Sequence, residues 1–300
     1  MNETKLTELV PAFLEETGAI LKDSTKAVKQ RVLNNICLFL EKEGITTHEQ
    51  LTADSIHRYF NTFTGRESTR SMNMFIVRTF ANWLYQKGLI SFSGSMLYPV
   101  IRSNKREYLP TRYDAAEVDK VIKSVDMNSS LGSRNKCMIL LAAETGLRRS
   151  DIVNLRISNI NFANNSLSGV QKKTGEPYCV PMSEGLRYHL ANYLKNHRPV
   201  KELELDDYVF LNTKTLQPLD ASVVTATVSD HFAKAGINIE GKRHGPHALR
   251  SSAATNLQES GTPLHVISAV LGHHGSASLI AYLATDIPHL RMMALEVPAV

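Results

Sequence analysis

The chain has 300 residues, of which 43% are hydrophobic, and its formal net charge is +5. This length suits one large domain or two ordinary ones, and the apolar content excludes a disordered chain. The mean hydropathy of −0.18 and the lack of a run of about 18 apolar residues exclude a membrane span, while the basic balance makes nucleic acid a reasonable partner.

Neither the first residues nor the cysteines indicate export. The N-terminal stretch MNETKLTELVPAFLEE is polar and acidic, unlike the basic and then apolar layout of a signal peptide. The cysteines are Cys37, Cys137 and Cys179, which are odd in number and form no C-x-x-C pair. Reduced thiols and a cytoplasmic location are therefore expected, with no zinc ribbon.

The first hundred residues predict a small bundle of helices. Apolar residues recur at helical spacing in four segments, and three of these segments end at a glycine. Ser24 and Thr52 are the expected N-terminal caps of the second and third helices. The four predicted helices span residues 6–21, 24–44, 52–65 and 68–88.

A change of composition follows this bundle. The segment IRSNKREYLPTR is basic and is interrupted by a proline, as is typical of a linker. We therefore expect a helical domain over residues 1–102, a linker over 103–111 and a second domain over 112–300.

The second domain combines helices with one β signal. Residues 166–182, SLSGVQKKTGEPYCVPM, contain two short extended runs around a Lys-Thr-Gly-Glu tip, the layout of a hairpin. Residues 206–212 predict a further short strand or extended piece. Helices are predicted over 114–125, 129–146, 151–156, 183–197, 220–236, 244–261 and 262–272. The whole chain is thus predicted to be mainly α with a small β-sheet.

Five separate pieces of this domain carry cationic or proton-transferring side chains. Arg148 follows a glycine at a helix end, and Asp151, three residues on, is well placed to hold an arginine side chain. Taken singly, each piece is more simply a solvated surface group or a packing residue. The remaining pieces contribute Lys172 and Lys173, His247 and Arg250, His273 and His274, and Tyr282.

Together these residue types match what is needed to cut a DNA strand without a metal ion or ATP. Two guanidinium groups can neutralise the charge that a phosphodiester gains in its transition state, through bidentate hydrogen bonds. A phenol can attack phosphorus where arginines favour the phenolate and a histidine accepts its proton. A hairpin lysine can protonate the departing 5′-oxygen, and a covalent phosphotyrosine keeps the bond energy for rejoining.

The same segments resemble the tyrosine recombinases, or phage integrase family, over most of the chain. ETGLRRSDIVNLR resembles the segment of the family's first arginine, and QKKTGEPYCVP resembles its catalytic hairpin. HALRSSAATNL is similar to its H-x-x-R helix, and LGHHGSASLIAY to its L-G-H segment, where the nucleophile lies nine residues after the histidine. The resemblance implies six catalytic residues: Arg148, Lys173, His247, Arg250, His273 and Tyr282.

The resemblance also bears on choices between neighbouring residues. It assigns the first role to Arg148 rather than Arg149, and it favours Lys173 over Lys172. Tyr282 would be the nucleophile. His274 stands where a small polar residue is more usual in the family, which leaves open whether it or the histidine before it faces the phosphate.

Fold, partners and cellular role follow from the resemblance as well. It implies an N-terminal helical SAM-like core-binding domain and a C-terminal catalytic domain of the DNA breaking-rejoining type. The expected partners are double-stranded DNA recombination sites, bound by a homotetramer with possible accessory DNA-bending proteins, and no cofactor, metal or membrane is implied. The activity would serve integration, excision or transposition of a mobile element, or resolution of replicons, in a bacterial or phage-encoded setting.

Two further expectations concern surface contacts. The apolar C-terminal tail, residues 286–300, would dock on a neighbouring protomer or fold back on its own domain. Phosphate contacts are expected from five basic residues, for which a solvated face is an equally good explanation. These residues are Arg66, Arg70, Arg78, Lys105 and Arg106.

Three alternatives remain at this stage. A type IB topoisomerase shares the tyrosine chemistry but relaxes DNA, and the helical N-terminal domain and modest length disfavour it. A DNA-binding protein without catalysis conflicts with the full set of candidate residues. A zinc hydrolase using His244, His247 and His273 is disfavoured because Pro246 interrupts the H-x-x-H spacing and no partner carboxylate is evident.

Overall fold

The computed structural model describes residues 4–98, 111–200, 202 and 204–272. The chain forms two compact units, Met1–Glu107 and Tyr108–Val300, each with its own hydrophobic core. Apart from Thr111, the predicted linker over 103–111 lies outside the described residues.

Over residues 4–98, the first unit forms four α-helices, which lie in the predicted segments. They are α1 (Leu6–Gly18), α2 (Asp23–Lys42), α3 (Ala53–Asn61) and α4 (Glu67–Gln86). Their apolar faces meet in a core where Phe13 lies edge-on to the rings of Phe80 and Trp83, at centroid distances of 5.2 and 5.7 Å. The Trp83 indole donates a hydrogen bond to Glu16 Oε2 over 3.0 Å, so its one polar atom is satisfied.

Of the two predicted helix caps, one is confirmed and one is wrong. Thr52 Oγ1 accepts a hydrogen bond from the Ser55 backbone N–H over 3.1 Å, and Ser55 Oγ accepts one from the Thr52 N–H over 3.2 Å. Helix α2 begins at Asp23, one residue before the predicted cap Ser24, and Lys22 takes the cap position without a side-chain bond. The Asp23 carboxylate in the first turn favours this start because it interacts with the positive end of the helix dipole.

Within the described part of the second unit there are seven further α-helices. They are α5 (Ala115–Lys123), α6 (Ser130–Leu140), α7 (Arg149–Val153), α8 (Glu184–Asn192), α9 (Ala221–Lys234), α10 (Pro246–Glu259) and α11 (Leu264–Leu271). Helix α6 continues into a π-helical turn, Leu141–Thr145, which ends at Gly146 with φ of 63°. This left-handed residue redirects the chain into α7.

The predicted hairpin is confirmed as part of a three-stranded antiparallel sheet. Strands β2 (Ser166–Val170) and β3 (Pro177–Pro181) pair with Leu167 opposite Val180, and both of these side chains are buried. A two-residue strand, β1 (Ile160–Asn161), adds to β2 on its other side. Residues 206–212 make isolated bridges at Tyr208 and Leu211, so they are the extended piece rather than a full strand.

These elements confirm the predicted fold class, mainly α with a small sheet. Among the described residues, no helix combines the length and the apolar character that a bilayer crossing needs.

Candidate active site

Arg148 is positioned by the tight turn between α6 and α7. Gly146 approaches α11 so closely that a Cβ atom there would lie 2.6 Å from Leu271 Cδ2. Two residues later, Arg148 stands at the N-terminal cap of α7, and its Nη1 donates a hydrogen bond to Gln171 Oε1 on the hairpin. The next residue, Arg149, is directed elsewhere, because its Nη1 donates to Thr225 Oγ1 on α9 over 3.1 Å.

Arg250 is a buried cation on α10, with only 3% of its surface exposed. Its Nη1 donates to the Gly146 carbonyl over 2.5 Å, and its Nη2 donates to the Leu271 carbonyl. The burial of a guanidinium group is costly unless its N–H groups are hydrogen-bonded. These two main-chain acceptors therefore stabilise the side chain in one place, next to the turn that carries Arg148.

His247 lies one helical turn before Arg250, where it is solvent-accessible. Partial desolvation is the largest cause that lowers the pKa of the His247 imidazole below its ordinary value. The positive charges of Arg243, Arg250, Lys173 and Arg148 lower this pKa further. Three of the four cations are predicted site residues from separate pieces of the sequence, so the fold brings Arg148, Lys173 and Arg250 into the electrostatic surroundings of one histidine.

The hairpin tip that carries Lys173 is fixed by backbone hydrogen bonds. The Gln171 N–H donates to the Glu176 carbonyl over 2.7 Å, and the Gly175 N–H donates to the Gln171 carbonyl over 2.8 Å. The Lys173 side chain is exposed at this tip. The positive charge of Lys173 is among the causes that lower the pKa of His247.

Asp151 has a different partner from the one predicted. The sequence suggested that its carboxylate would hold an arginine side chain. In the structure its buried Oδ1 accepts a hydrogen bond from the backbone N–H of Lys172 over 2.8 Å. This carboxylate therefore connects α7 to the hairpin tip, because the Lys172 N–H points toward α7.

Two residues at the site were missed by the sequence reasoning. Gln171 is buried and accepts a hydrogen bond from Arg148, and Arg243 adds a fourth cation beside His247. The only sequence signal for Gln171 is its place next to the two lysines of the hairpin tip. Arg243 gives no signal beyond lying four residues before the histidine.

The remaining predicted residues divide between the two units and the undescribed ranges. Arg78 Nε donates to the Leu97 carbonyl over 3.0 Å, and its guanidinium lies 5.6 Å from the Phe60 ring centroid, so it has partners within its own unit. Arg70 is half-buried, whereas Arg66 is exposed ahead of α4. Lys105, Arg106, His273, His274, Tyr282 and the tail over 286–300 lie outside the described residues.

One of the three histidines of the zinc alternative, His273, lies outside the described residues. In the part of the chain that the structure describes, His, Cys, Asp and Glu side chains form no group of three or more able to hold a metal ion. His244 instead places its Nδ1 3.1 Å from the Lys242 carbonyl.

Known proteins resemble this chain in sequence. A model of the phage integrase family matches residues 111–288. Tyrosine recombinase XerD from Shewanella oneidensis is 25% identical over 294 residues, which cover 96% of this chain and 95% of that protein. Tyrosine recombinase XerA from Pyrococcus horikoshii is 27% identical over 226 residues, which cover 75% of this chain and 72% of its own length.

Solved structures resemble it in fold. A lambda integrase dimer bound to a COC′ core site superposes with a TM-score of 0.74 at 17% identity, covering 100% of this chain and 81% of that chain. The XerH site-specific recombinase bound to palindromic difH substrate gives a TM-score of 0.70 at 18% identity, covering 96% and 94%. At these identities the likeness shows a shared fold, which is the DNA breaking-rejoining type expected from the sequence.

Proposed function

This chain belongs to the phage integrase family, and from that membership we propose that its six predicted residues form the site of DNA cleavage. Its relatives are tyrosine recombinases of nearly the same length. The chain is accordingly a site-specific recombinase, an enzyme that exchanges DNA strands by transesterification. The topoisomerase and non-catalytic alternatives are not favoured, because the sequence relatives are recombinases.

One observation carries the assignment of the site: Arg148, Lys173 and Arg250 all act on the pKa of His247. These residues lie at the cap of α7, on the hairpin tip and on α10, and like charges that the fold brings close to one another favour the binding of an anion. A group of cations around a neutral histidine suits a phosphodiester, which is anionic and gains charge during attack. Arg148 donates to the neutral side-chain oxygen of Gln171, and Arg250 donates to the neutral main-chain oxygens of Gly146 and Leu271.

The proposed reaction follows from these roles. The Tyr282 phenolic oxygen attacks phosphorus, and its proton passes to the imidazole of His247, which is neutral because its pKa is lowered. Arg148 and Arg250 stabilise the extra negative charge, and His273 helps to hold the phosphate. As the new P–O bond forms, the bond to the 5′-oxygen breaks, and Lys173 supplies the proton that makes it a 5′-hydroxyl. Attack by a 5′-hydroxyl on the phosphotyrosine reverses these steps and joins the strand.

The same proposal gives roles to the two domains. Residues 1–102 would be the core-binding domain, 103–111 the linker and 112–300 the catalytic domain. XerH and lambda integrase were solved on DNA, the latter also as a tetramer on a Holliday junction. We extend this to the present chain as binding of double-stranded recombination sites by a tetramer, with phosphate contacts from Arg66, Arg70, Arg78, Lys105 and Arg106.

Trapping of the covalent adduct tests the reaction and the nucleophile together. The protein first selects duplexes from a randomised pool, and these duplexes are then nicked at successive positions. Cleavage beside a nick releases a short fragment, so the strand cannot be rejoined and the adduct accumulates. Mass mapping is expected to place the DNA on Tyr282. Tyr282→Phe is expected to bind the same duplex without forming an adduct, whereas Tyr188→Phe, which alters an exposed tyrosine of α8, is expected to react normally. An adduct that persists in Tyr282→Phe would remove this residue from the role.

A further inference from the structure

Gln171 is buried at the point where β2 enters the hairpin tip, with 1% of its surface exposed. Two hydrogen bonds fix its backbone: the Gln171 N–H donates to the Glu176 carbonyl, and the Gln171 carbonyl accepts from the Gly175 N–H. A long polar side chain in such a place has to satisfy its amide group inside the protein. The position of that amide is therefore set by the hairpin and not by solvent.

The amide uses its acceptor and its donor on different parts of the site. Gln171 Oε1 accepts hydrogen bonds from Arg148 Nη1 and, over 3.0 Å, from Thr174 Oγ1. Gln171 Nε2 donates over 3.2 Å to the Leu271 carbonyl, the same oxygen that accepts from Arg250 Nη2. One side chain thus connects α7, the hairpin tip and the end of α11, and it shares an acceptor with α10.

Steric contact at the end of α11 reinforces this connection. Gly272 has φ of 59°, and a Cβ atom on it would lie 2.0 Å from Gln171 Nε2. The amide therefore packs against the backbone of the residue that immediately precedes His273. A residue other than glycine here would displace either the amide or the chain that leads to the nucleophile.

The chemistry of these neighbours favours an amide over the other side chains of similar length. Arg148 presents a donor to the amide, whereas the Leu271 carbonyl presents an acceptor that Arg250 also uses. Glutamate would provide the acceptor but would cancel the charge of Arg148 and face the carbonyl with a second negative oxygen. Methionine fills a similar volume and provides neither hydrogen bond.

We propose that Gln171 is a positioning residue for cleavage: it aims the Arg148 guanidinium at the scissile phosphate and fixes the Leu271–Gly272 backbone from which the nucleophile segment departs. This inference rests on the proposed function of the site. Gln171 touches neither the phosphate nor the phenol in this role, and it acts through the residues that do.

Gln171→Met tests the role on the nicked duplexes described above. The rate of adduct formation is expected to fall on the order of thirtyfold to a hundredfold, because misplacement of a charge-stabilising group acts on the transition state. The dissociation constant for uncleaved DNA is expected to change less than about threefold, since the phosphate contacts remain. Gln50→Met is the matched control: Gln50 also bonds backbone groups, accepting from the Thr46 and Thr47 N–H groups, but in the first unit.

A duplex with a methylphosphonate at the scissile position separates positioning from general damage. This substrate lacks one negative charge, so the guanidinium that Gln171 aims has less to stabilise. The defect of Gln171→Met is expected to shrink to less than about threefold on it, when compared with the wild type on the same substrate. Equal defects on both substrates would overturn the positioning role, as would adduct formation at the wild-type rate on ordinary DNA.

Two measurements keep the outcomes distinct. If the wild-type protein forms no adduct on any duplex, the proposed function fails; if it does and Gln171→Met reacts equally fast, only the present inference fails. Circular dichroism and thermal unfolding show whether Gln171→Met is folded. If Gln171→Met does not fold, Gln171→Glu serves as the second variant, because it replaces only one NH2 group by an oxygen. Cleavage by Gln171→Glu at the wild-type rate would overturn the proposal.

Discussion

Arg148 and Arg149 are adjacent in the chain, yet their guanidinium groups have different partners. Arg148 bonds the hairpin residue Gln171, and Arg149 bonds Thr225 on α9. We expect Arg148→Ala to lower the rate of adduct formation at least about a hundredfold while DNA affinity falls much less, because the lost charge acts mainly in the transition state. Arg149→Ala is the control and should cleave at a rate within a few-fold of the wild type. Similar losses in both variants would contradict the assignment.

His247 links the pH dependence of cleavage to the cations around it. If its imidazole accepts the phenol proton, cleavage slows as the pH falls below the pKa of His247, which lies under its ordinary value. Arg243→Ala removes one positive charge that lowers this pKa, so the pKa rises and the acid limb of the pH–rate profile moves to higher pH. Lys242→Ala, which removes a cation 5.2 Å from the Tyr113 ring centroid, should leave the limb in place. An unchanged limb in Arg243→Ala would exclude this role for the histidine.

The residue types of the site could be predicted from the sequence, but not their connections. Arg148, Lys173, His247 and Arg250 follow local patterns that are readable in one dimension. Gln171 owes its role to the Leu271 carbonyl, which lies 100 positions further along the chain. No local pattern indicates such a contact. The partner of Asp151 was wrongly predicted for a related reason, because the Lys172 N–H lies 21 positions away on another element.

At the scale of whole elements, the ends of helices determine how the site is assembled. Gly146 and Gly236 both follow helical segments and have nearly the same φ, 63° and 64°. A Cβ atom at Gly146 meets Leu271, whereas one at Gly236 has no neighbour within 4 Å. Alanine substitutions at these two glycines therefore distinguish the free-energy cost of a left-handed backbone from the cost of steric contact with α11.

This pair predicts different losses of stability. Gly236→Ala should lower the free energy of unfolding by about 1 kcal/mol, the strain of a left-handed backbone alone. Gly146→Ala should lower it by about 2 kcal/mol more, because the added methyl group also displaces packed atoms. Urea unfolding of both variants measures the difference. Equal losses would show that the approach of α11 to the turn imposes no steric demand.

Sequence patterns located most elements, and the failures have local causes. Periodicity, capping residues and terminal glycines placed the helices and the hairpin, because these signals act within a few residues. Strand β1 has two residues and is defined by its pairing with β2, so its own sequence is too short to predict a strand. The cap of α2 was displaced by one residue because Asp23 competes with Ser24 for the helix start.

At the scale of the whole molecule, the two cores can be followed with different probes. Trp83 is the only tryptophan in the sequence, and it is buried in the core of the first unit. Its fluorescence therefore reports on that unit, whereas circular dichroism reports on the helices of both. Leu33 and Leu186 are fully buried, one in each core.

We expect the two cores to unfold as separate cooperative units. Leu33→Ala should destabilise the first unit by about 3 kcal/mol and shift the fluorescence transition in urea. Leu186→Ala should shift part of the circular dichroism transition and leave the fluorescence midpoint unchanged. Coincident shifts of both signals in both variants would show that the chain unfolds as one unit.

The acceptors of Arg250 have a consequence for substitutions at this site. Its guanidinium bonds the main-chain oxygens of Gly146 and Leu271, which every amino acid carries. A codon change at Leu271 alters a side chain but keeps the oxygen, whereas a carboxylate anchor would be lost in a single step. A substitution at Leu271 is thus expected to act through the loss of its buried packing beside Gly146, and not through the loss of an acceptor for the arginine.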